Sequence, residues 1–341
     1  MKKSLIALAA VAATGAAFAQ SSVTLFGTFD PSVQNISTTT AAGVKTTQNT
    51  IANNGRGTSQ VSVKGVEDLG SGLSASFLYE GDFNVGQNSG PTTSGNGVAN
   101  QHAIGAGGGE IYAGLTGGFG DIKLGSPNTP SLISQASRQP IGTKIGSGFG
   151  SAMGTAHVRE ASSAVYSTPN FAGFVAQVGY AFKASNGQSV AGTALAADQG
   201  AKSDLGLSYA NGPLRAGVTA FNKAAVGAEV SANKQTNLYA QYDFAGATLF
   251  LGAHNETLST GVKQSGTNVA AKYALTPAVS LLGNYAKLND KSVANADRTV
   301  TALGAEYALS KRSTLYVRNV NDKTNAGNKV VTNLLGLQHN F

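Results

Sequence analysis

From residue 22 onward this sequence is a succession of short segments in which every second residue is apolar, joined by links that are alternately short and long. Period two marks a β-strand whose faces meet different surroundings, because successive side chains point to opposite sides. Val23, Leu25, Gly27 and Phe29 share one face, and Thr24, Phe26, Thr28 and Asp30 the other. Phe174, Ala176, Val178, Tyr180 and Phe182 likewise oppose Gln177. Leu303, Ala305, Tyr307 and Leu309 oppose Glu306, and Leu315 and Val317 oppose Tyr316 and Arg318.

A soluble sandwich and a membrane barrel both alternate in this way, so the links carry the distinction. Short links rich in Gly, Asn, Pro and Asp fall at 67–72, 116–120, 169–173, 210–213, 243–246, 275–278 and 309–312. These residues supply positive φ or preset a turn. Between them lie long links, at 36–57, 84–109, 126–160, 184–203, 223–235, 256–265, 289–297 and 320–329. Strict alternation of short and long is the layout of an outer-membrane barrel, with short periplasmic turns and longer external loops. The segments between links number about sixteen, an even count within the usual range for such barrels. The fold class expected is all-β: a transmembrane antiparallel β-barrel of residues 20–341.

Composition agrees. Hydrophobic residues are 41% of the chain yet are never concentrated, and past residue 20 no stretch approaches the roughly 20 apolar residues that a membrane helix needs. Charged residues are only 12%, with 44 glycines and no cysteine, so disulfides cannot hold the fold. The formal charge of +7 is scattered without a basic run, which argues against nucleic acid as a partner. Aromatics beside the short links (Phe119, Phe171, Phe174, Tyr242, Phe244, Tyr307) suit a girdle at the lipid–water boundary.

Residues 1–19 read as a signal peptide: Lys2 and Lys3, a short apolar run from Leu5 to Ala13, then Ala17-Phe18-Ala19 before Gln20. Such a leader implies export, and the barrel implies the cell outer membrane, with lipid and lipopolysaccharide as surroundings. The chain stops on an alternating segment ending at Phe341, which is expected to pair with the first strand and close the cylinder.

The link 126–160 lacks alternation and is too long to be a plain connection. It is expected to fold into the barrel and narrow it. Its ionisable residues, Arg138, Lys144, His157, Arg159 and Glu160, are therefore candidate constriction groups. By parity the lumen wall should carry Asp30, Gln60, Lys64, Glu80, Lys123, Arg215, Lys272, Glu306 and Arg318. The four histidines are far apart in sequence and no ligand cluster has useful spacing, so neither a metal nor another cofactor is expected. No nucleophile–base pair points to an enzyme. The glycine run 105–109 is not placed between a strand and a helix, so it reads as an external loop rather than a phosphate cradle.

Six stretches resemble the general diffusion porins of Gram-negative bacteria, in their β-proteobacterial branch. They are Ser22-Val-Thr-Leu-Phe-Gly-x-x-Asp30, Val63-Lys-Gly-x-Glu-Asp-Leu-Gly-x-Gly-Leu73, Tyr112-Ala-Gly-Leu-x-Gly-x-Phe-Gly120, Ser167-Thr-Pro-Asn-Phe-x-Gly-Phe174, Tyr307-Ala-Leu-Ser-Lys-Arg312 and Gly336-Leu-x-His-x-Phe341. The resemblance implies a sixteen-stranded homotrimer that passes ions and small hydrophilic solutes, with the third external loop as its constriction. It also implies that Phe341 is a signal to the barrel-assembly machinery. Where the family has arginines this chain has Gln60, Ser126 and Gln338, and 127–159 holds no acid. The first two positions match arginines lining the family's constriction, which adds Ser126 to the candidate lumen wall. The basic loop is thus expected to face wall acids such as Asp30 or Glu80, reversing the family's arrangement, with a weak anion preference. The alternatives at this level are a substrate-specific channel and a non-conducting adhesive or structural barrel.

Overall fold

The computed structural model describes residues 21–86, 109–154, 157–182, 200–226, 231–292 and 296–341. The leader 1–19, His102, residues 105–108 of the glycine run and most of the links 84–109 and 184–203 lie outside the described residues. Within them the chain forms one antiparallel sheet that closes on itself.

Two of the barrel's strands are broken. β1 (Ser22–Phe29) and β2 (Ser32–Thr39) are the lower and upper halves of the first, interrupted at Asp30-Pro31. Proline has no N–H for the ladder, so the pairing stops there. β3 (Lys45–Ala52) and β4 (Gln60–Gly70) are likewise two halves of the second, separated by 53–59. β1 pairs with β4, and β2 pairs with β3. The strands that follow are single: β5 (Leu73–Asp82), β6 (Ile111–Gly117), β7 (Gly120–Ser126), β8 (Ser163–Ser167), β9 (Phe174–Ala181) and β10 (Lys202–Asn211). Then come β11 (Leu214–Lys223), β12 (Asn233–Phe244), β13 (Ala247–Thr257), β14 (Lys263–Ala274), β15 (Val279–Asp290), β16 (Arg298–Ala308), β17 (Ser313–Thr324) and β18 (Lys329–Asn340). Counting each broken strand once gives the sixteen-stranded antiparallel barrel.

Closure is made by β18 against both halves of the first strand: Thr28 lies opposite Asn340, and Gly336 opposite Ser32. The Leu337 N–H donates to the Pro31 carbonyl at 3.1 Å, so the proline break does not open the seam. Closure leaves no edge to be satisfied in hydrocarbon.

Alternation sorts the two faces as the sequence implies. Leu205, Leu207, Leu249, Leu251, Val269, Leu303, Val317 and Leu335 are exposed on the outer wall, while their inward neighbours Asn237, Asn268 and Asn284 are buried. Tyr242, Phe244, Phe171, Phe174 and Tyr307 are exposed beside the short turns. At one of these turns Ala245 and Gly246 carry φ of 46° and 82°, the left-handed backbone that a tight reversal requires.

The external links differ from expectation. Residues 45–52, read as loop, are strand β3, and the connection between β2 and β3 shrinks to a turn over 40–44. The links near 256–265 and 320–329 also shorten to turns at 258–262 and 324–328. Lys45-Thr-Thr-Gln-Asn-Thr50 has no apolar face, the composition expected of a ladder that extends past the lipid with water on both sides.

Candidate functional site

The 126–160 link enters the lumen, and its first element is a helix. α1 (Pro130–Ser137) starts where Thr129 accepts from the Leu132 N–H at 3.1 Å, with proline in its first turn. This cap-plus-proline signal stands in the sequence as Thr129-Pro130 and could have revealed the helix. α1 lies along β9–β12. Asp204 of β10 accepts from the Ser131 N–H and from its hydroxyl, both at 2.8 Å. A carboxylate at the start of a helix offsets the partial positive charge of its free N–H groups.

Beyond α1 the loop is fastened across the wall. Arg138 is buried and donates to Asn237 Oδ1 and to the Met153 carbonyl, each at 3.1 Å. Asn268 of β14 donates to the Arg138 carbonyl at 2.6 Å, and Asn284 of β15 to the Gly146 carbonyl at 2.9 Å. Ile141, Ala152 and Met153 pack onto Leu282, Ala286, Val300, Ala302 and Val320. That cluster accounts for the apolar residues β15–β17 turn toward a polar lumen: the loop covers them. Each fully buried Ile or Met is worth about 1.5–3 kcal/mol. Gly154, at φ 78°, rests on the His254 ring so closely that a Cβ would lie 1.8 Å from Nε2.

The returning limb is held by His157 and Glu160. The His157 ring stacks on Phe221, centroids 3.6 Å apart, and Glu160 is paired with Lys202. Burial pulls the His157 imidazole down to about 4, so it is neutral at neutral pH. Burial also lowers the Arg138 guanidinium, to about 9, which leaves it charged.

At its tip the loop meets a second inward element, the 53–59 interruption between β3 and β4. The Ile145 N–H donates to the Asn54 carbonyl at 3.2 Å, and Lys144 Nζ bonds Thr58 Oγ1. Arg318 of β17 donates both to the Gly55 carbonyl and, at 2.8 Å, to that of Ile145. Asp30 seats the interruption from below, its Oδ2 accepting the Arg56 and Gly57 N–H groups at 2.8 Å and its Oδ1 the Tyr316 hydroxyl at 2.7 Å. Arg56 reaches across to Glu306 at 3.1 Å, and Lys272 lies 2.8 Å from the same carboxylate.

A cavity of about 830 Å³ lies between the loop's free edge and the wall. Lys144 and Arg159 line it from the loop, Gln60, Glu80 and Asp82 from β4 and β5, and Arg298 and Asp322 from above. Arg159 Nη2 lies 3.9 Å from Asp82 Oδ2, and its Nη1 donates to Asn128 Oδ1 at 2.9 Å across the neck of the loop. Gln60 donates to Glu80 Oε2 at 2.7 Å. Burial pushes the Lys144 ammonium below the ordinary lysine range, and Asp82, Asp30 and Glu80 draw it back.

The expected loop residues therefore separate into two groups. Lys144 and Arg159 border the opening, whereas Arg138, His157 and Glu160 are turned into the wall as fasteners. Of the expected wall residues, Gln60 and Glu80 border the same cavity. Asp30, Lys272, Glu306 and Arg318 form the network that holds the 53–59 interruption. Lys64 faces inward on β4, and Lys123 sits over the Tyr112 ring at 4.6 Å and beside Asp121 at 3.8 Å. Arg215 pairs with Asp243 at 3.1 Å near the short-turn end. Ser126 ends β7 opposite Ile111, which is exposed on the outer wall, so the ladder puts Ser126 on the outer side rather than in the lumen. Asp82 and Arg56 were missed. Asp82 shares the inward parity of Glu80, a signal present in the sequence, whereas the inward course of Arg56 depends on partners in distant strands.

The signature of the family described as "Gram-negative porin" matches residues 5–327. Outer membrane porin protein 32 of Delftia acidovorans is 32% identical over 331 residues, covering 93% of this chain and 88% of that protein. Major outer membrane protein P.IB of Neisseria lactamica is 28% identical, with both chains fully covered. Among solved structures, the "Anion-selective porin from Comamonas acidovorans" superposes with a TM-score of 0.74 at 25% identity, over 94% of this chain and all of that one. A trimer form of OmpT from Vibrio cholerae shares the fold at a TM-score of 0.67 and 14% identity, over 94% and 99%.

Proposed function

Because this chain belongs to the Gram-negative porin family, an outer-membrane family of channels rather than enzymes, we propose that it forms a water-filled path for passive diffusion of ions and small hydrophilic solutes. The loop 126–160 is its constriction. The observation that carries this reading is the charged free edge of that loop: Lys144 and Arg159 border the cavity opposite Glu80 and Asp82. Selectivity in such a pore comes from its width and the charge of its lining. Basic groups on the loop and acids on the wall reverse the polarity that the family resemblance implies, and their near balance makes any preference weak. The direction is toward anions, supported by the description of the Comamonas acidovorans relative as anion-selective. The unit is a homotrimer, a reading supported by the trimer form of a protein with the same fold, and residues 1–19 are a leader removed on export.

Planar-bilayer recordings together with solute uptake into proteoliposomes test the reading. Step-like conductance, with small sugars entering and large ones excluded, is expected. Negligible conductance, or current blocked by a single solute at low concentration, contradicts it.

A further inference from the structure

The 53–59 interruption leaves the ladder between β3 and β4, and the only charged side chain it carries into the lumen is Arg56. Arg56 stands between two glycines that the wall requires. A Cβ on Gly55 would lie 2.2 Å from the Tyr316 hydroxyl, and one on Gly57 would lie 2.1 Å from Gln338 Nε2. The backbone is thus pressed onto β17 and β18, with Arg56 reaching past the contact. Its guanidinium bonds Gln338 Oε1 and donates to the Glu306 carboxylate at 3.1 and 3.4 Å. Lys272 donates to the same carboxylate at 2.8 Å.

Two cations therefore share one acid, and the acid is the sheltered member. The Glu306 side chain is 9% exposed, against 29% for Arg56 and 33% for Lys272. Among the described residues no other acid lies within salt-bridge distance of either cation. The face turned to the lumen water is positive. Its height in the barrel differs from that of the loop's charges. Lys272, Glu306 and Gln338 each lie two residues from the short-turn end of their strand, at Ala274, Ala308 and Asn340. Glu80 and Asp82 lie at the long-loop end of β5. Thr58, two residues beyond Arg56, takes the Lys144 ammonium of the loop, so one segment joins the two sets in series. A surplus charge within one Debye length of the ion path, about 10 Å at 0.1 M salt, raises the local anion concentration roughly twofold. At 1 M, where that length falls to about 3 Å, the effect fades.

We propose that Arg56 acts with Lys272 as a second charge filter, placed on the short-turn side of the constriction, through which small anions pass more readily in one direction than in the other. The loop's charges decide which ion is preferred, and this cluster gathers anions at one side of the narrow section. The proposal rests on the conduction reading.

The test is the current–voltage curve of single channels of the full chain in neutral phospholipid, at about 0.1 M and about 1 M KCl on both sides. In wild type, currents at equal and opposite voltages should differ roughly twofold at the lower salt and be nearly equal at the higher. R56Q and K272Q each remove the surplus and should each give symmetric currents at both. R56K keeps the charge and should keep the asymmetry, whereas E306Q frees a second cation and should increase it. That opposite sign separates charge from a merely structural role. Symmetric currents in wild type at low salt overturn the proposal while leaving the channel reading in place. So does asymmetry that R56Q and K272Q leave unmoved, or its loss in R56K. Absence of current from every preparation would sink the channel reading and this proposal with it.

Discussion

Replacing Arg138 by methionine tests whether the inner loop is held in place by the contacts described. Methionine keeps an apolar stem in the buried site and removes the guanidinium. Two hydrogen bonds from a charged donor are lost, to Asn237 Oδ1 and the Met153 carbonyl, each at 3.1 Å. Such bonds are worth about 1.5–3 kcal/mol each. Asn237 Oδ1 keeps its contact with His254 Nδ1 at 2.9 Å, but the Met153 carbonyl loses its arginine partner. Relief of the cost of burying the cation offsets part of the loss. The balance is about 3 kcal/mol, roughly a hundredfold in the ratio of docked to released loop. The strand ladders are untouched, so the barrel should still fold, melting only a little below the wild-type temperature. Two assays report on the loop: trypsin cleavage after Lys144 or Arg159 in the folded protein, and current noise in the open channel. Both should rise in the variant. Wild-type protection and wild-type noise together would refute the account of how the loop is anchored.

Other perturbations follow from the same contacts. Docking should weaken in acid through His157: its ordinary value of 6.5 falls to about 4 in the docked loop, so the contribution is complete above 6.5 and is lost as the pH drops toward 4. The full swing is on the order of 3 kcal/mol, and open-channel noise should rise over that window by more in wild type than in H157Q. Gly55→Ala would put a Cβ 2.2 Å from the Tyr316 hydroxyl, displacing the 53–59 interruption at a cost of about 1–3 kcal/mol and shifting the single-channel conductance. Val269→Arg, in the middle of β14 on the outer wall, should cost about 2–4 kcal/mol, measured by denaturant titration of folding into vesicles.

How much of this could be read beforehand varied with the physics of each part. Strands such as β9 and β16 were legible because one face meets lipid and the other water, which writes period two into the residues. β3 was not, because a ladder standing clear of the lipid needs no apolar face and reads like a polar loop. The sixteen-strand count survived that error, since the turn links were marked by Gly, Asn and Pro whatever the strand ends did. In the loop, charge alone could not tell fastener from lining. Arg138 and Arg159 are the same residue type, yet one is buried against Asn237 and the other borders the cavity. Without alternation, nothing local sets which way a loop side chain points. Thr129-Pro130 was the one local rule available there, and it marks the only helix among the described residues. Ser126 shows the limit of carrying a role across by position: the register with Ile111 decides its side of the wall.

The central claim is that the pore's ion preference is set where Lys144 and Arg159 face Glu80 and Asp82. The reversal potential of single channels in a KCl gradient measures it directly, comparing wild type with the K144Q/R159Q variant. The account predicts a small potential of anion-selective sign for wild type and a shift to cation-selective sign for the variant. A clear cation preference in wild type, or a potential that the two substitutions leave unmoved, would contradict it.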